Sequence, residues 1–274
     1  MSDFRRVALL LLVVALHLAG TGCTAEAGDR AAEPRHIVFM ITEDPQNYEA
    51  HVNIPPFAEH LEAEHGYRTT VLLGEGEPTA FHFPGLEVLD EADLLVMFFR
   101  RRALPDRQMQ QLRDYLDDGG PLIALRTTNH AFSLRDDIEG EPAAGHEDWW
   151  DFVPEVLGAR NRGFAPVEPG TDVSVVEEHA DHPILDGVEP TQWHTDSNLY
   201  LSHPLVDEEA HVLLRGESPT ADGDDRHIEP IAWTRSANGS RVFYTSLGHP
   251  ADFAEHPQFT RMLHNAVRWA LQEE

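Results

Sequence analysis

The chain contains no lysine. All 20 of its basic residues are arginine, set against 48 acidic residues in 274, for a formal charge of -28 at pH 7. Without lysine there can be no Schiff-base amine and no phosphate-binding P-loop lysine. A chain this acidic, with no basic stripe along any predicted helix, would be repelled by nucleic acid, so no nucleic-acid partner is expected. The acidity reads as a solvated, salt-tolerant surface. Cysteine is almost as scarce: Cys23 stands alone. No disulfide can form within the chain, and the folded part is expected to hold no thiol nucleophile. The sequence also lacks Gly-x-Ser-x-Gly, His-Glu-x-x-His and paired cysteines, which removes the hydrolase elbow and the compact zinc signatures. With 41% hydrophobic residues, the chain can bury one good core.

Long apolar runs are few, and the first belongs to targeting. Arg5-Arg6 precedes the run Val7 to Ala19, which ends in Gly20-Thr21-Gly22-Cys23. A positive start, a short apolar core and small residues at the cut make an export signal. The run falls short of the roughly 20 residues that span a membrane. Cys23 stands where a bacterial lipoprotein carries its lipid, although Gly20 occupies the place where such signals prefer Leu. Plain secretion with cleavage near Cys23 is the alternative. Residues 24–34 are small, polar and without period, as in a flexible tether. The expected organisation is therefore a signal over 1–23, a tether over 24–34 and one folded domain over 35–274, exported to the cell envelope and held to the membrane through Cys23.

Within the domain, short apolar runs alternate with helical spacing. Strands are predicted at Arg35–Ile41, Tyr67–Leu73, Ala92–Phe99 and Pro121–Leu125, with helices over Pro55–His65 and Pro105–Asp117. This rhythm implies an α/β fold with a mainly parallel central sheet. The second half predicts a helix over Trp149–Leu157, strands at Thr171–Val176, Ala210–Arg215, Pro230–Thr234 and Arg241–Ser246, and a closing helix over Phe259–Leu271. Asn238-Gly239 suggests a hairpin between the last two strands. Glu217–Asp225 reads as an exposed acidic loop.

The run Pro121–Leu125 follows Gly119-Gly120 and stops at Arg126-Thr-Thr-Asn129-His130, and open α/β sheets bind ligands where such strands end. Other polar groups follow other strands: Glu43 and Asp44 after the first, Arg100 to Arg102 after the third. The second half adds His194 with Asp196, and Ser246 with His249 and Asp252. A parallel sheet would bring the first groups to one edge. Arginine can hold a carboxylate, phosphate or enolate-like oxygen through paired hydrogen bonds, and histidine can move protons near neutral pH. Structural roles are open to the same residues: Arg101 or Arg126 can pair with Glu43 or Asp44, His130 can be a hydrogen-bonded core histidine, and His194 with Asp196 can simply share a strand face. A divalent metal would need His130, His249 and a carboxylate assembled from distant segments.

Several strings together resemble the ThuA-like (trehalose-utilisation) family: Asp117-Asp-Gly-Gly-Pro-Leu-Ile-Ala-Leu-Arg126 through His130-Ala-Phe132, His182-Pro-Ile-Leu-Asp-Gly-Val188, Pro230-Ile-Ala-Trp-Thr-Arg, and Gly239-Ser-Arg-Val-Phe-Tyr-Thr-Ser-Leu-Gly-His249-Pro-Ala-Asp-Phe253. Glu43-Asp44 ahead of Pro55-Pro56-Phe57-Ala58 is similar to one branch of that family. The resemblance implies a class I glutamine amidotransferase-like fold, a three-layer flavodoxin-like sandwich. Arg126 or Thr127 occupies the elbow where amidotransferases carry cysteine, which excludes that chemistry. Two departures stand out. Asp196-Ser-Asn-Leu-Tyr200 lacks the Glu of the usual Asp-Glu-Leu-Tyr-like stretch, and Arg126 replaces a common His, so no histidine role transfers to it. What the resemblance implies is a small-molecule carbohydrate partner, reached through disaccharide and keto-sugar metabolism. Two expectations follow. One is a carbohydrate-active enzyme with His130 as general acid/base, Arg126 and Arg101 as oxyanion binders, and His249 and Asp44 orienting substrate or metal, with Glu43, Asn129, His194, Asp196, Ser246 and Asp252 around them. The other is a non-catalytic sugar-binding or scaffold domain using Trp149, Trp150 and Trp193 as platforms. The oligomeric state is left open.

Overall fold

Four apolar runs that are buried on both faces set the centre of the sheet, as helix-covered parallel strands require. The computed structural model describes residues 33–273; the predicted signal, Cys23 and the tether up to residue 32 lie outside the described residues. The strands are β1 (His36–Thr42), β2 (Arg68–Glu77), β3 (Ala80–His82), β4 (Leu94–Phe98), β5 (Leu104–Pro105), β6 (Leu122–Leu125), β7 (His146–Glu147), β8 (Thr171–Val175), β9 (Gln192–Thr195), β10 (His211–Pro219), β11 (Arg226–Ala237) and β12 (Ser240–Thr245). The helices are α1 (Ala50–His65), α2 (Asp106–Asp117), α3 (Pro250–Glu255) and α4 (Pro257–Ala270). Ten strands form one sheet in the order β3-β2-β1-β4-β6-β12-β11-β10-β8-β9, while β5 and β7 pair separately. The stretch β2-β1-β4-β6-β12 is parallel, with Phe39 opposite Val96 and Ile123 opposite both Val96 and Phe243. Antiparallel strands extend it on both sides.

Alternation along β1 divides the core. Ile37, Phe39 and Ile41 pack with α1 and α4, whereas Val38 and Met40 pack with α2 on the other face. The result is helix, sheet, helix: an α/β sandwich with its parallel strands in the middle. Among the described residues no helix is long and apolar enough to cross a membrane.

The structure departs from the sequence expectations in four places. Helix α1 begins at Ala50, before Pro55, so Pro55 and Pro56 lie inside it; burial of Ala50 and Ile54 draws the first turn onto the core despite the two missing amide donors. Strand β2 runs through Gly74 and Gly76 instead of stopping there. A Cβ at Gly74 would lie 2.3 Å from the Phe81 ring, so the glycine makes room for β3. The predicted acidic loop shrinks, because Glu217, Ser218 and Pro219 continue β10 opposite Arg226 to Ile228 and Ser218 is fully buried. Trp149–Leu157 yields only a five-residue π turn, Val153–Leu157, closed by Gly158 in the left-handed region. The Asn238-Gly239 turn forms as expected, both residues having positive φ between Ala237 and Ser240.

Candidate functional site

At the carboxyl end of β6 the chain turns sharply. Leu125 is extended, Arg126 has φ 43°, and residues 126–130 make a short 3-10 turn. The turn is tied down on every side. Tyr244 Oη donates to the Arg126 carbonyl at 2.9 Å, and Thr128 Oγ1 donates to the Met97 carbonyl at 2.8 Å. The Arg101 amide donates to the His130 carbonyl at 3.0 Å. Asn47 links the first, third and fourth parallel strands of this edge. Its Nδ2 donates to Thr42 Oγ1 (3.1 Å) and the Phe98 carbonyl (2.8 Å), while its Oδ1 accepts from Thr127 Oγ1.

Arg126 itself is fully buried. Its guanidinium donates to the Ser246 carbonyl (2.7 Å) and Asn198 Oδ1 (2.6 Å) and lies 3.8 Å from the Tyr48 ring centroid and 4.9 Å from that of Tyr200. Beyond Tyr48 comes His249, at 5.9 Å between ring centroids, and beyond Tyr200 comes His130, at 6.3 Å. The five side chains make one row of ring contacts, edge-on at His249 and tilted at His130, with a cation at its centre. Burial works to discharge Arg126, but the Tyr200 and Tyr48 phenols and Asp252 outweigh it and hold its pKa above the ordinary value. The Tyr48 phenol is pulled the other way. Burial favours its neutral form, yet Arg126 and a hydrogen bond from Tyr200 together lower its pKa below the usual tyrosine range. Tyr200 is raised, by burial and by its neighbour Tyr48. Of the two phenols, Tyr48 ionises first.

His130 stays neutral. Burial, reinforced by Arg101, Arg100, Arg135 and Arg126, holds it well below the usual histidine range. Its Nδ1 faces Asn129 Oδ1, with Asn161 Nδ2 at 3.1 Å. Asn129 Oδ1 would accept a proton from Nδ1 and Asn161 Nδ2 would donate one to it, and in either tautomer the neutral ring keeps one unprotonated nitrogen.

Tyr48 and His130 line a cleft of about 1250 Å³ over the strand ends, together with Arg100, Arg101, Thr127, Asn129, Asn198 and Tyr200. Arg135, Glu139, Arg160 and Asn161 form its outer wall, and Ile138, Trp150, Phe164 and Val167, all more than half exposed, form its rim. Among the described residues six non-glycine positions have positive φ, and three of them, Tyr48, Arg101 and Arg126, form the wall or floor of this cleft, with Glu49 adjoining. Strain of this kind concentrates at functional sites.

The residues expected from sequence divide accordingly. Arg101, Asn129 and His130 meet in the cleft. Arg126 lies beneath it, too buried to touch a ligand, and acts through Tyr48 and Tyr200. Asp44 is taken up by Arg102 at 2.6 Å, so Arg102, not Arg101 or Arg126, is its partner, and Glu43 is exposed outside the cleft. His194 pairs with Asp172 at 2.8 Å at the far edge of the sheet, and Asp196 is exposed beside it. Ser246 supplies only its carbonyl. His249 caps α3, accepting the Ala251 amide at Nδ1 (3.3 Å). Asp252 is fully buried in the same capping box, accepting from Thr195 Oγ1, Ser197 Oγ (2.6 Å) and the Gly248 (2.7 Å) and His249 (2.8 Å) amides, which leaves it nothing for a ligand. Among the described residues no three His, Cys, Asp or Glu side chains come close enough to share a metal ion, and His130 and His249 lie at opposite ends of the row. Of the sugar platforms, Trp150 alone reaches the cleft. Trp149 is half-buried against Phe132 and Phe152, and Trp193 is half-buried on β9.

Comparison with known proteins agrees with this architecture. No curated protein matches the sequence. Two solved structures share the fold. A ThuA-like protein from Bacteroides uniformis ATCC 8492 has TM-score 0.62 and 19% identity over 89% of this chain and 94% of its own. A ThuA-like protein from Parabacteroides merdae ATCC 43184 has TM-score 0.60 and 15% identity over 87% and 90%. The family profile described as ThuA, trehalose utilisation, matches residues 37–270, nearly all of the described chain. The chain therefore belongs to the ThuA (trehalose utilisation) family.

Proposed function

We propose that the cleft is the active site of an exported carbohydrate-active enzyme that moves a proton on a sugar or keto-sugar. The observation that carries this reading is a neutral imidazole and a phenol of lowered pKa facing one cleft above a buried guanidinium. A general base must be unprotonated at working pH, and the neutral His130 imidazole meets that condition. In a keto-sugar, His130 accepts the proton from the carbon beside the carbonyl; the C–H electron pair becomes the C=C bond as the carbonyl π pair moves onto oxygen, and the resulting enolate oxygen lies against Arg101 and the Tyr48 phenol, which donates to it. Returning the proton to carbon restores the carbonyl. Arg126 keeps Tyr48 acidic without touching the substrate. The cleft exceeds the roughly 300–1,000 Å³ of small-ligand pockets, so a disaccharide fits. Export and a lipid on Cys23 belong to the same proposal, tested by mass spectrometry of the mature N-terminus and by Cys23→Ala.

The reaction is tested by NMR of keto-disaccharides in deuterated water with the purified protein. Exchange beside the carbonyl should fall at least ~100-fold in His130→Ala and in Tyr48→Phe, the latter keeping its ring on Arg126. No exchange with the parent protein would sink the acid/base reading. Binding without exchange favours the alternative, a sugar-binding domain, for which the exposed Trp150 and Phe164 at the rim speak.

A further inference from the structure

Six of the chain's 20 arginines, Arg100, Arg101, Arg102, Arg126, Arg135 and Arg160, gather at or just beneath one cleft in a protein of charge -28. Two are neutralised in place: Arg102 by Asp44 at 2.6 Å, and Arg135 by Glu139, which it grips through its amide (2.9 Å), Nε (3.1 Å) and Nη2 (2.6 Å). The other four have no carboxylate within ion-pair distance among the described residues. Arg100 donates to the Gln46 side-chain oxygen and Arg101 to the Ser133 carbonyl (2.6 Å), both neutral acceptors. Arg101 Nε is buried without any acceptor. Burial first, and then the neighbouring Arg135 and Arg100 against a partial offset from Glu139, draw Arg101 down to about 10. Among the described residues Asp151, exposed at the rim, is the one further acidic group lining the cleft, since Glu139 is already engaged.

Glu139 acts on Arg100 and Arg101, and Asp44 on Arg100, only through space; cations with no carboxylate in contact in a partly buried site, in a chain with acid to spare, are placed for an anion from outside. Exposed Trp150 and Phe164 stand at the mouth of the same cleft, where an aromatic face can cover the apolar face of a sugar ring. We infer that the cleft takes a carbohydrate carrying an oxyanion, a carboxylate or phosphate, whose charged group is held by Arg100 and Arg101 while the sugar ring reaches His130. This inference rests on the proposed carbohydrate site and names its substrate class.

The test is titration calorimetry on the purified full-length protein with paired ligands. Lactobionate is set against lactose for the carboxylate source, and glucose 6-phosphate against glucose for the phosphate source, with inorganic phosphate and acetate as sugar-free anions. The acidic member of at least one pair should bind at least ~10-fold tighter at about 50 mM salt and lose most of that advantage at about 500 mM. Arg100→Gln and Arg101→Gln should abolish the preference. Should either fail to fold, the exposed Arg160→Gln and the salt series on the parent protein carry the test. Equal affinity within both pairs, a preference indifferent to salt, or no binding at all overturns the inference. Sugar-free anions binding as tightly as acidic sugars overturn its carbohydrate half. A neutral keto-disaccharide that binds and exchanges protons without any acidic preference defeats this inference alone. Acidic sugars that bind with the expected arginine dependence but never exchange protons defeat only the acid/base reading.

Discussion

Lowering the pH should destabilise this protein well before its carboxylates titrate, although protonation relieves its negative self-repulsion. Among the described residues every histidine whose pKa folding clearly moves, His36, His65, His130, His182, His249 and His264, moves downward. Burial is the leading cause in each. His182 and His264 reach about 4. His264 on α4 stacks on His65 at 3.8 Å between ring centroids, and its buried Nε2 has no partner. His182 lies 6.4 Å from His211 and 5.7 Å from Trp269. Between pH 6.5 and 4 the unfolded chain binds protons at these sites and the folded chain does not. Their stabilisation is therefore complete above the unfolded pKa and is lost as pH falls through this window. One site shifted from 6.5 to about 4 is equivalent to about 3.4 kcal/mol at ~1.36 kcal/mol per pH unit. Both rings are partly exposed, so solvent screening cuts this to roughly half, about 3–4 kcal/mol for the pair. That is a large share of a typical stability of ~5–15 kcal/mol. The assay is the urea midpoint at fixed ionic strength from pH 7.5 to about 4.5. It should fall steadily below pH 6.5, and His264→Gln should shallow the slope by up to ~1.36 kcal/mol per unit. A midpoint that is flat or rises toward pH 5 would mean that relief of a charge of -28 outweighs the histidines, and would refute the reasoning.

Two further predictions concern the groups beneath the cleft. Asn47→Ala leaves the Phe98 carbonyl and the Thr127 hydroxyl without their partner in a dry site, so it should cost about 2–4 kcal/mol in thermal or urea unfolding; a loss under ~0.5 kcal/mol would show that the strand ends are held by something else. Arg126→Met removes the cation between Tyr48 and Tyr200, the leading force that lowers the Tyr48 pKa, and leaves burial opposed only by the Tyr200 hydrogen bond and Arg100. Ultraviolet titration of the tyrosines should show one phenol moving upward from below the ordinary range. An unchanged titration in a folded variant would remove Arg126 as the cause of Tyr48's acidity.

The parts of the fold legible in the sequence are those a single segment decides. An apolar run after Gly119-Gly120 can only be a buried strand, and its polar continuation marks the elbow, so Arg126, Asn129 and His130 could be placed in advance. The cleft's other half could not. Tyr48, Asn161, Asn198 and Tyr200 come from loops without period, and only the packed sheet brings them to Arg126 and His130. Tyr200 ends the stretch Asp196 to Tyr200, in which Asp196 is the acidic candidate, yet Asp196 is exposed while Ser197 to Tyr200 are all buried, with no alternation to signal it. One signal was present and was read differently: His249-Pro250-Ala251-Asp252 has a cap, a proline at the first helical position and an acid at the third, which is the pattern of a capping box.

Backbone strain separates the two halves further. A left-handed conformation at a non-glycine residue costs roughly 1–2 kcal/mol, and glycine would remove that cost. Tyr48, Glu49, Arg101 and Arg126 all bear it, and no sequence pattern announces it because the conformation is imposed by contacts made elsewhere: Asn47 bridging β1, β4 and the elbow, Tyr244 holding the Arg126 carbonyl, and His130 receiving the Arg101 amide. Relaxing Arg126 or Tyr48 would take the guanidinium out from between the rings, and with it the charge that makes Tyr48 the more acidic phenol. Relaxing Arg101 would turn an unneutralised cation away from His130. The strain is thus the structural counterpart of the electrostatics. The same contacts that force positive φ onto these side chains set a neutral base, an acidic phenol and an unpaired cation around one space.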